Sequence, residues 1–239
     1  MSKQGEKDYL KNISDDGRKH SYNKPFSDPR CGCYLQDIGA LLSLLPPPPA
    51  KLLDLGIGGG WTSIFFAKRG YQVTGQDISE EMISLANSNK KRYDVEQTEF
   101  TTSDYEELTF NNVFDCAVFY DSLHHSLDEE KAIASVYRAL KPNGVCLTVE
   151  PGMWHSKQEG SKKVIDLYNV TEKDMHPRKI IQLGKRAGFK KFKVYFRPSE
   201  PPEVASFISF KGAISLCRKI LRFLPVLCVL RSNIVVMTK

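Results

Sequence analysis

A carboxylate, a run of glycines and a second carboxylate carry the first chemical hint in this chain. Asp54 sits in the short apolar run Leu52-Leu53-Asp54-Leu55, and Gly56, Gly58, Gly59 and Gly60 follow directly. The run reads as a buried strand, and the stretch Trp61–Arg69 beyond the glycines reads as an amphipathic helix. Strand, glycine turn and helix make the nucleotide-binding end of a doubly wound α/β unit. The spacing narrows the ligand: counted from Gly56, the third glycine of a dinucleotide fingerprint would fall at position 61, which is Trp61. A carboxylate at the end of the strand would repel a pyrophosphate, but it suits a ligand carrying an ammonium and a sulfonium. Asp77 ends the next strand, 23 residues after Asp54, where an acid can take both hydroxyls of a ribose. The plain alternative is a glycine-rich turn with two ordinary surface acids. Agreement between the motif and its strand–helix context favours the ligand.

The segment Asp54-Leu55-Gly56-Ile57-Gly58-Gly59-Gly60 resembles motif I of the class I S-adenosylmethionine (SAM)-dependent methyltransferases of the broad small-molecule type. The turn Leu140-Lys141-Pro142-Asn143-Gly144 is similar to one common in the same group. The resemblance implies SAM as cofactor. Asp54, Gly56, Ile57, Gly58 and Gly60 would then shape the methionine pocket, and Asp77 would bind ribose. Ile78 and Asp104, flanked by Ser103 and Tyr105, would meet adenine. Tyr120 and Asp121 would lie beside the methionine and sulfonium. For Asp104 a turn or helix cap is the competing role, since Ser-Asp pairs also start turns.

Methyl transfer to oxygen or carbon also needs a proton removed. His124 and His125 directly follow the fourth strand, Phe114–Tyr120, and His155 follows the fifth. Open parallel sheets bind ligands outside those strand ends, and an imidazole exchanges protons near neutral pH. The His124–His125 pair is therefore the candidate base. In the competing reading one ring caps a backbone group and the other is solvated, or the pair serves the cofactor pocket. No metal is expected: the acid set of cation-dependent catechol-type enzymes is not evident. The Asn-Pro-Pro-Tyr stretch of DNA and glutamine N-methyltransferases is absent too.

These residues need a sheet to position them. The pattern predicts an α/β fold: a doubly wound, seven-stranded, mostly parallel sheet with an antiparallel last strand and a helical insertion. Strands are expected at 52–55, ending at 77, at 97–102, 114–120, 145–149, 191–197 and 233–238. Ser79 reads as the N-cap of a helix running to about Arg92, with Glu80 and Glu81 in its first turn. Further helices are expected at 34–45, 128–140 and 177–187. Residues 1–33 read as a polar stretch with turn formers. Residues 1–49 form an N-terminal arm and helix covering the cofactor, to which His20, Tyr22 and Tyr34 could contribute. The alternative is an exposed arm. Residues 50–150 form the SAM-binding core, and 151–239 complete the same sheet.

An insertion at 201–232 separates the last two strands. Phe207, Phe210, Ile214, Cys217, Leu221 and Leu224 recur at helical spacing, with Lys211, Arg218 and Arg222 on another face. One reading is a helical cap over the acceptor pocket. The sharper one is a surface, 204–230, resting on an anionic membrane and presenting a lipid-linked acceptor. Charge is uneven: residues 1–150 carry net −6, residues 151–239 net +12. Docking of RNA or protein through the basic third is the alternative function, although no RNA module accompanies it. Met1–Asp16 is polar without an apolar stretch, and no run of eighteen apolar residues occurs. The six cysteines form no CxxC pair. A reduced, cytoplasmic protein, peripheral at the membrane in the sharper reading, is expected.

Overall fold

Leu52 and Leu53 are both fully buried on one strand, although adjacent strand residues face opposite ways. The strand must therefore be covered on both sides. The computed structural model, described over residues 3–198 and 233–239, shows how. Seven strands form one sheet: β1 (Lys51–Leu55), β2 (Gln72–Asp77), β3 (Thr98–Thr102), β4 (Phe114–Tyr120), β5 (Leu140–Val149), β6 (Lys191–Phe196) and β7 (Asn233–Thr238). Their order is β3-β2-β1-β4-β5-β7-β6. β1 to β5 pair in parallel, and β7 is antiparallel to both β5 and β6. Strand order reverses between β1 and β4, so a crevice opens beyond their C-terminal ends, the place where such sheets bind ligands.

Helices α1 (Gln4–Asn12), α2 (Asp15–Asn23), α3 (Cys31–Leu44), α4 (Trp61–Arg69), α5 (Glu80–Tyr93), α6 (Glu129–Ala139), α7 (Glu159–Tyr168) and α8 (Pro177–Ala187) complete the described part. On one face Leu41, Phe66 and Tyr71 pack with Leu52, Val118 and Leu147. On the other Ile133, Val136 and Ile180 pack with Leu53, Phe119 and Met237. Cys116 and Cys146 are buried free thiols, one in each core, and burial pushes the Cys116 thiol up to about 12. α5 starts as its sequence predicts, with Met82 N–H donating to Ser79 Oγ at 3.4 Å.

Two segments differ from the sequence reading. Residues 3–33 are not a loose polar stretch. Ser14 Oγ caps α2 by accepting from Gly17 N–H at 3.2 Å, and α1 packs against α5 and α7. Tyr9 meets Tyr168 edge-on at 5.3 Å between ring centres. Residues 141–144 are not simply a stop before a strand at 145. β5 begins at Leu140, which pairs with Phe114, and after a register irregularity Val145 pairs with Cys116. The strand thus resumes around a bulge in which Asn143 takes a positive φ of 62°.

The stretch after β5 folds back over the crevice. Asp174 accepts from the backbone N–H groups of Trp154 and Ser156 at 3.0 and 2.9 Å, and Met175 N–H donates to Pro151 O at 3.2 Å. Glu6 of α1 accepts from Thr171 N–H at 2.7 Å. The insertion at 201–232, with its two readings, lies outside the described residues. Among the described residues, no helix is long and apolar enough to cross a membrane.

Candidate functional site

The glycine turn is shaped by backbone needs. Gly56, Gly58 and Gly60 adopt φ of 69°, 51° and 80°, the left-handed region open to glycine at little cost. At Gly56 a Cβ would also lie 2.6 Å from Ser122 Cβ. Asp77 holds the turn from below: its Oδ2 accepts from Gly58 N–H at 2.8 Å and its Oδ1 from Ser79 N–H at 3.0 Å. Burial raises the Asp77 carboxyl, against the pull of these two N–H groups.

A cavity of about 370 Å³ opens over this turn, within the size range that holds a small organic ligand. Gly56, Ile57, Gly58, Asp77, Ile78, Asp104, Tyr105, Tyr120 and Asp121 line it. His20 and His125 also line it. Asp54, Gly60, Ser103 and His124 do not. Asp54 points beneath the turn, where Thr62 and Ser63 hydroxyls donate to its Oδ2 at 2.7 and 2.6 Å. Burial lifts its carboxyl to about 6, against those hydroxyls. Its place is to fix the start of α4. Tyr22 and Tyr34 also stay off the wall. Tyr34 packs on Trp61, ring centres 5.7 Å apart, and Trp61 reaches the cavity.

Three wall residues carry contacts the sequence did not announce. Asp104 pairs with Lys3, which also reaches Glu106 at 2.9 Å. Arg197 donates to both Asp121 oxygens, at 3.1 and 2.9 Å, and to the buried Asp37 Oδ2 at 2.8 Å. Burial would raise the Asp121 carboxyl, but the guanidinium outweighs it and holds it low. Tyr120 O–H donates to the same Asp37 oxygen at 2.6 Å, and burial pushes that phenol far up.

Another part of the cavity wall belongs to a histidine–carboxylate cluster. His124 and His125 lie in a 3-10 turn, Leu123–His125. Glu150 anchors that turn, accepting from the N–H groups of Ser122 and Leu123 at 3.1 and 2.8 Å and approaching His124 Nδ1 at 2.7 Å. His124 is buried. His125 Nδ1 meets Thr171 O at 2.7 Å and Glu6 Oε1 at 3.5 Å. Burial would depress this imidazole, but the Glu6 and Glu172 charges and Thr171 O raise it to about 9. His155 Nε2 bonds Glu172 Oε2 at 2.5 Å. Burial would raise the Glu172 carboxyl, but His155 and the other two imidazoles hold it low. No spacing pattern marks Glu6, Glu172, Lys3 or Arg197, because their partners lie far off in the sequence. Ser14 followed by two acids was a readable start for α2.

Residues 53–148 match the family model described as "Methyltransferase domain". Over these residues, about two fifths of the chain, it is similar to class I SAM-dependent methyltransferase domains. YqeM of Bacillus subtilis, provisionally designated a methyltransferase, is 39% identical over 106 residues, covering 42% of each chain. A ubiquinone biosynthesis O-methyltransferase of Pseudomonas entomophila is 34% identical over 96 residues, 39% of this chain and 41% of that one. The chain thus spans under half the length of these curated relatives. Among solved structures, phosphoethanolamine N-methyltransferase 2 of Haemonchus contortus superposes with a TM-score of 0.68 at 22% identity. The match covers 97% of this chain and 59% of that one, and that structure holds phosphomonomethylethanolamine and S-adenosylhomocysteine. YcgJ of Bacillus subtilis gives 0.64 at 18% identity, covering 86% and 98%. At these identities the structures show the shared fold.

The family's cofactor is SAM, and the cavity suits it on its own chemistry. A carboxylate has about four acceptor positions. Asp77 uses two on the turn, which leaves two for other donors. Acidic and basic groups share the wall: Glu6, Asp77, Asp121 and Glu172 stand with Lys3, Lys24, His20 and His125. The turn is glycine where a Cβ would strike Ser122 or require strained backbone.

Proposed function

We propose that this chain transfers a methyl group from SAM to a small, polar acceptor seated at the His125–Glu172 end of the cavity. The observation that carries this reading is continuity: one cavity runs from the glycine turn and Asp77 to His125, Glu6 and Glu172. SAM supplies an activated methyl on a sulfonium, so the protein's task is placement, exclusion of water and management of the acceptor's proton.

Asp77 would take the ribose hydroxyls. Ile78 and Tyr105 would flank the base. Asp121, held by Arg197, would stand near the methionine end. Asp104 is engaged by Lys3, so it would meet adenine only by sharing that cation. His125, raised to about 9, is cationic at neutral pH without an acceptor. It would serve by donating to an acceptor oxygen and steering it, with Glu6 and Glu172 balancing its charge. His124, turned onto Glu150, is a positioning residue for the 3-10 turn. The relatives' names support a small acceptor: one acts in ubiquinone biosynthesis as an O-methyltransferase, and one structural neighbour holds a phosphomonomethylethanolamine. Membrane contact via 204–230 and macromolecular docking through the basic C-terminal third are not part of this reading.

Calorimetry with S-adenosylhomocysteine and with NADH tests the cofactor assignment. Saturable binding of the first and none of the second is expected. The reverse order of affinity would overturn it.

A further inference from the structure

We propose that His124, His125 and Glu172 form a binding site for one divalent first-row transition ion, such as Zn²⁺ or Fe²⁺, at the acceptor end of the cavity. One ligand atom from each of the three lies within 4.8 Å of the others. His124 Nε2 and Glu172 Oε2 are 3.6 Å apart. Two ligands bound tetrahedrally at the usual zinc distances stand about 3.4 Å apart, so this pair already has the separation an ion would impose. Closing the rest of the triangle takes movements on the order of 1 Å, well within side-chain reach.

The second observation is that every ligand has its own orienting partner, the arrangement that accompanies metal-bound imidazoles. Glu150 Oε2 lies 2.7 Å from His124 Nδ1, and Thr171 O lies 2.7 Å from His125 Nδ1. A carboxylate or carbonyl accepts the Nδ1 proton of each ring, so Nε2 is the ligating atom. On His125, which is cationic in the ion-free chain, the ion takes the place of the Nε2 proton. His155 Nε2 fixes Glu172 Oε2 at 2.5 Å. The orienters come from the end of β5 and the 151–176 fold-back, whereas two of the ligands come from the 3-10 turn after β4. Separate segments converge on one point.

Donor chemistry selects the ion. Two imidazoles and one carboxylate favour zinc or iron over magnesium or calcium, and three protein ligands leave positions open. Glu6, Glu150 and Glu172 supply countercharge. His125 and Glu172 both line the cavity, so an open position faces it and would take an oxygen of the acceptor, best a hydroxyl with a neighbouring oxygen donor. That last role rests on the methyltransferase reading. Ion binding does not.

The test is a titration of the untagged, chelator-stripped full chain with Co²⁺ and Zn²⁺. Visible Co²⁺ absorption and calorimetry follow uptake, and S-adenosylhomocysteine binding is measured separately on the same samples. One equivalent is expected to bind, with Zn²⁺ displacing Co²⁺. His125→Ala and Glu172→Gln should abolish uptake while S-adenosylhomocysteine still binds. Glu150→Gln should weaken uptake about 10- to 100-fold. X-ray absorption of the loaded wild-type chain should show imidazole ligands and no sulfur, a readout that needs no variant. No stoichiometric uptake, cysteine sulfur in the ion's shell, or undiminished uptake by both ligand variants would overturn the proposal. Loss of S-adenosylhomocysteine binding by the wild type would instead strike the cofactor reading alone.

Discussion

Replacing Asp77 by Asn perturbs the cofactor site with almost no change of volume. The wild-type carboxylate accepts from Gly58 N–H at 2.8 Å and from Ser79 N–H at 3.0 Å through different oxygens. An amide offers one oxygen, so its NH₂ must face one of those two donors. Either the turn loses a hydrogen bond or the side chain rotates away from the cavity. The bound ribose would lose hydrogen bonds to a charged acceptor, each worth about 1.5–3 kcal/mol. Losing two at the lower figure gives about 3 kcal/mol, roughly a 100-fold weaker Kd. Calorimetry with S-adenosylhomocysteine measures it directly, and denaturant unfolding shows whether the fold survives. A variant that folds and binds within about threefold of wild type would refute the ribose role of Asp77.

Other consequences follow from the buried charges. Burial raises Asp54 from 3.8 to about 6, so the folded chain holds this proton more tightly than the unfolded chain. Its contribution to stability is full below about pH 4 and is lost as pH rises to about 6, a swing of about 3 kcal/mol. In Asp54→Asn the amide oxygen can still accept from Thr62 and Ser63. Stability of variant relative to wild type, from urea midpoints, should therefore rise across that window, and parallel pH profiles would refute the linkage. Arg197→Met leaves Asp37, 2% exposed, without its guanidinium partner. Breaking such a pair should cost about 3–5 kcal/mol in urea unfolding; a loss under about 1 kcal/mol would show that the Arg197–Asp37 pair is not structural.

The sheet was legible in the sequence because its signals are local. Apolar runs, each broken by one aspartate, mark β1 and β4, glycines mark the turn, and Ser79 with two acids marks the start of α5. These needed no tertiary information. The acceptor end was legible only in part. His124 and His125 stood out as a pair, but the sequence could not tell them apart. The fold does so by turning one onto Glu150 and leaving the other on the wall. Glu6 and Glu172 lie 166 residues apart and share the cavity wall, with Glu6 of α1 bonded to the Thr171 N–H beside Glu172. Asp54 differs in another way: its carboxylate accepts from the Thr62 and Ser63 hydroxyls beneath the turn and does not line the cavity. Likewise Lys3 takes Asp104, an ion pair that no spacing rule anticipates.

The most direct test of the central claim supplies methyl-labelled SAM to the purified chain with a metabolite extract from its source cells. Label transferred to low-molecular-mass material, in a reaction abolished by Asp77→Asn, is the predicted result. Transfer confined to acid-precipitable macromolecules, or none at all despite tight S-adenosylhomocysteine binding, would contradict it.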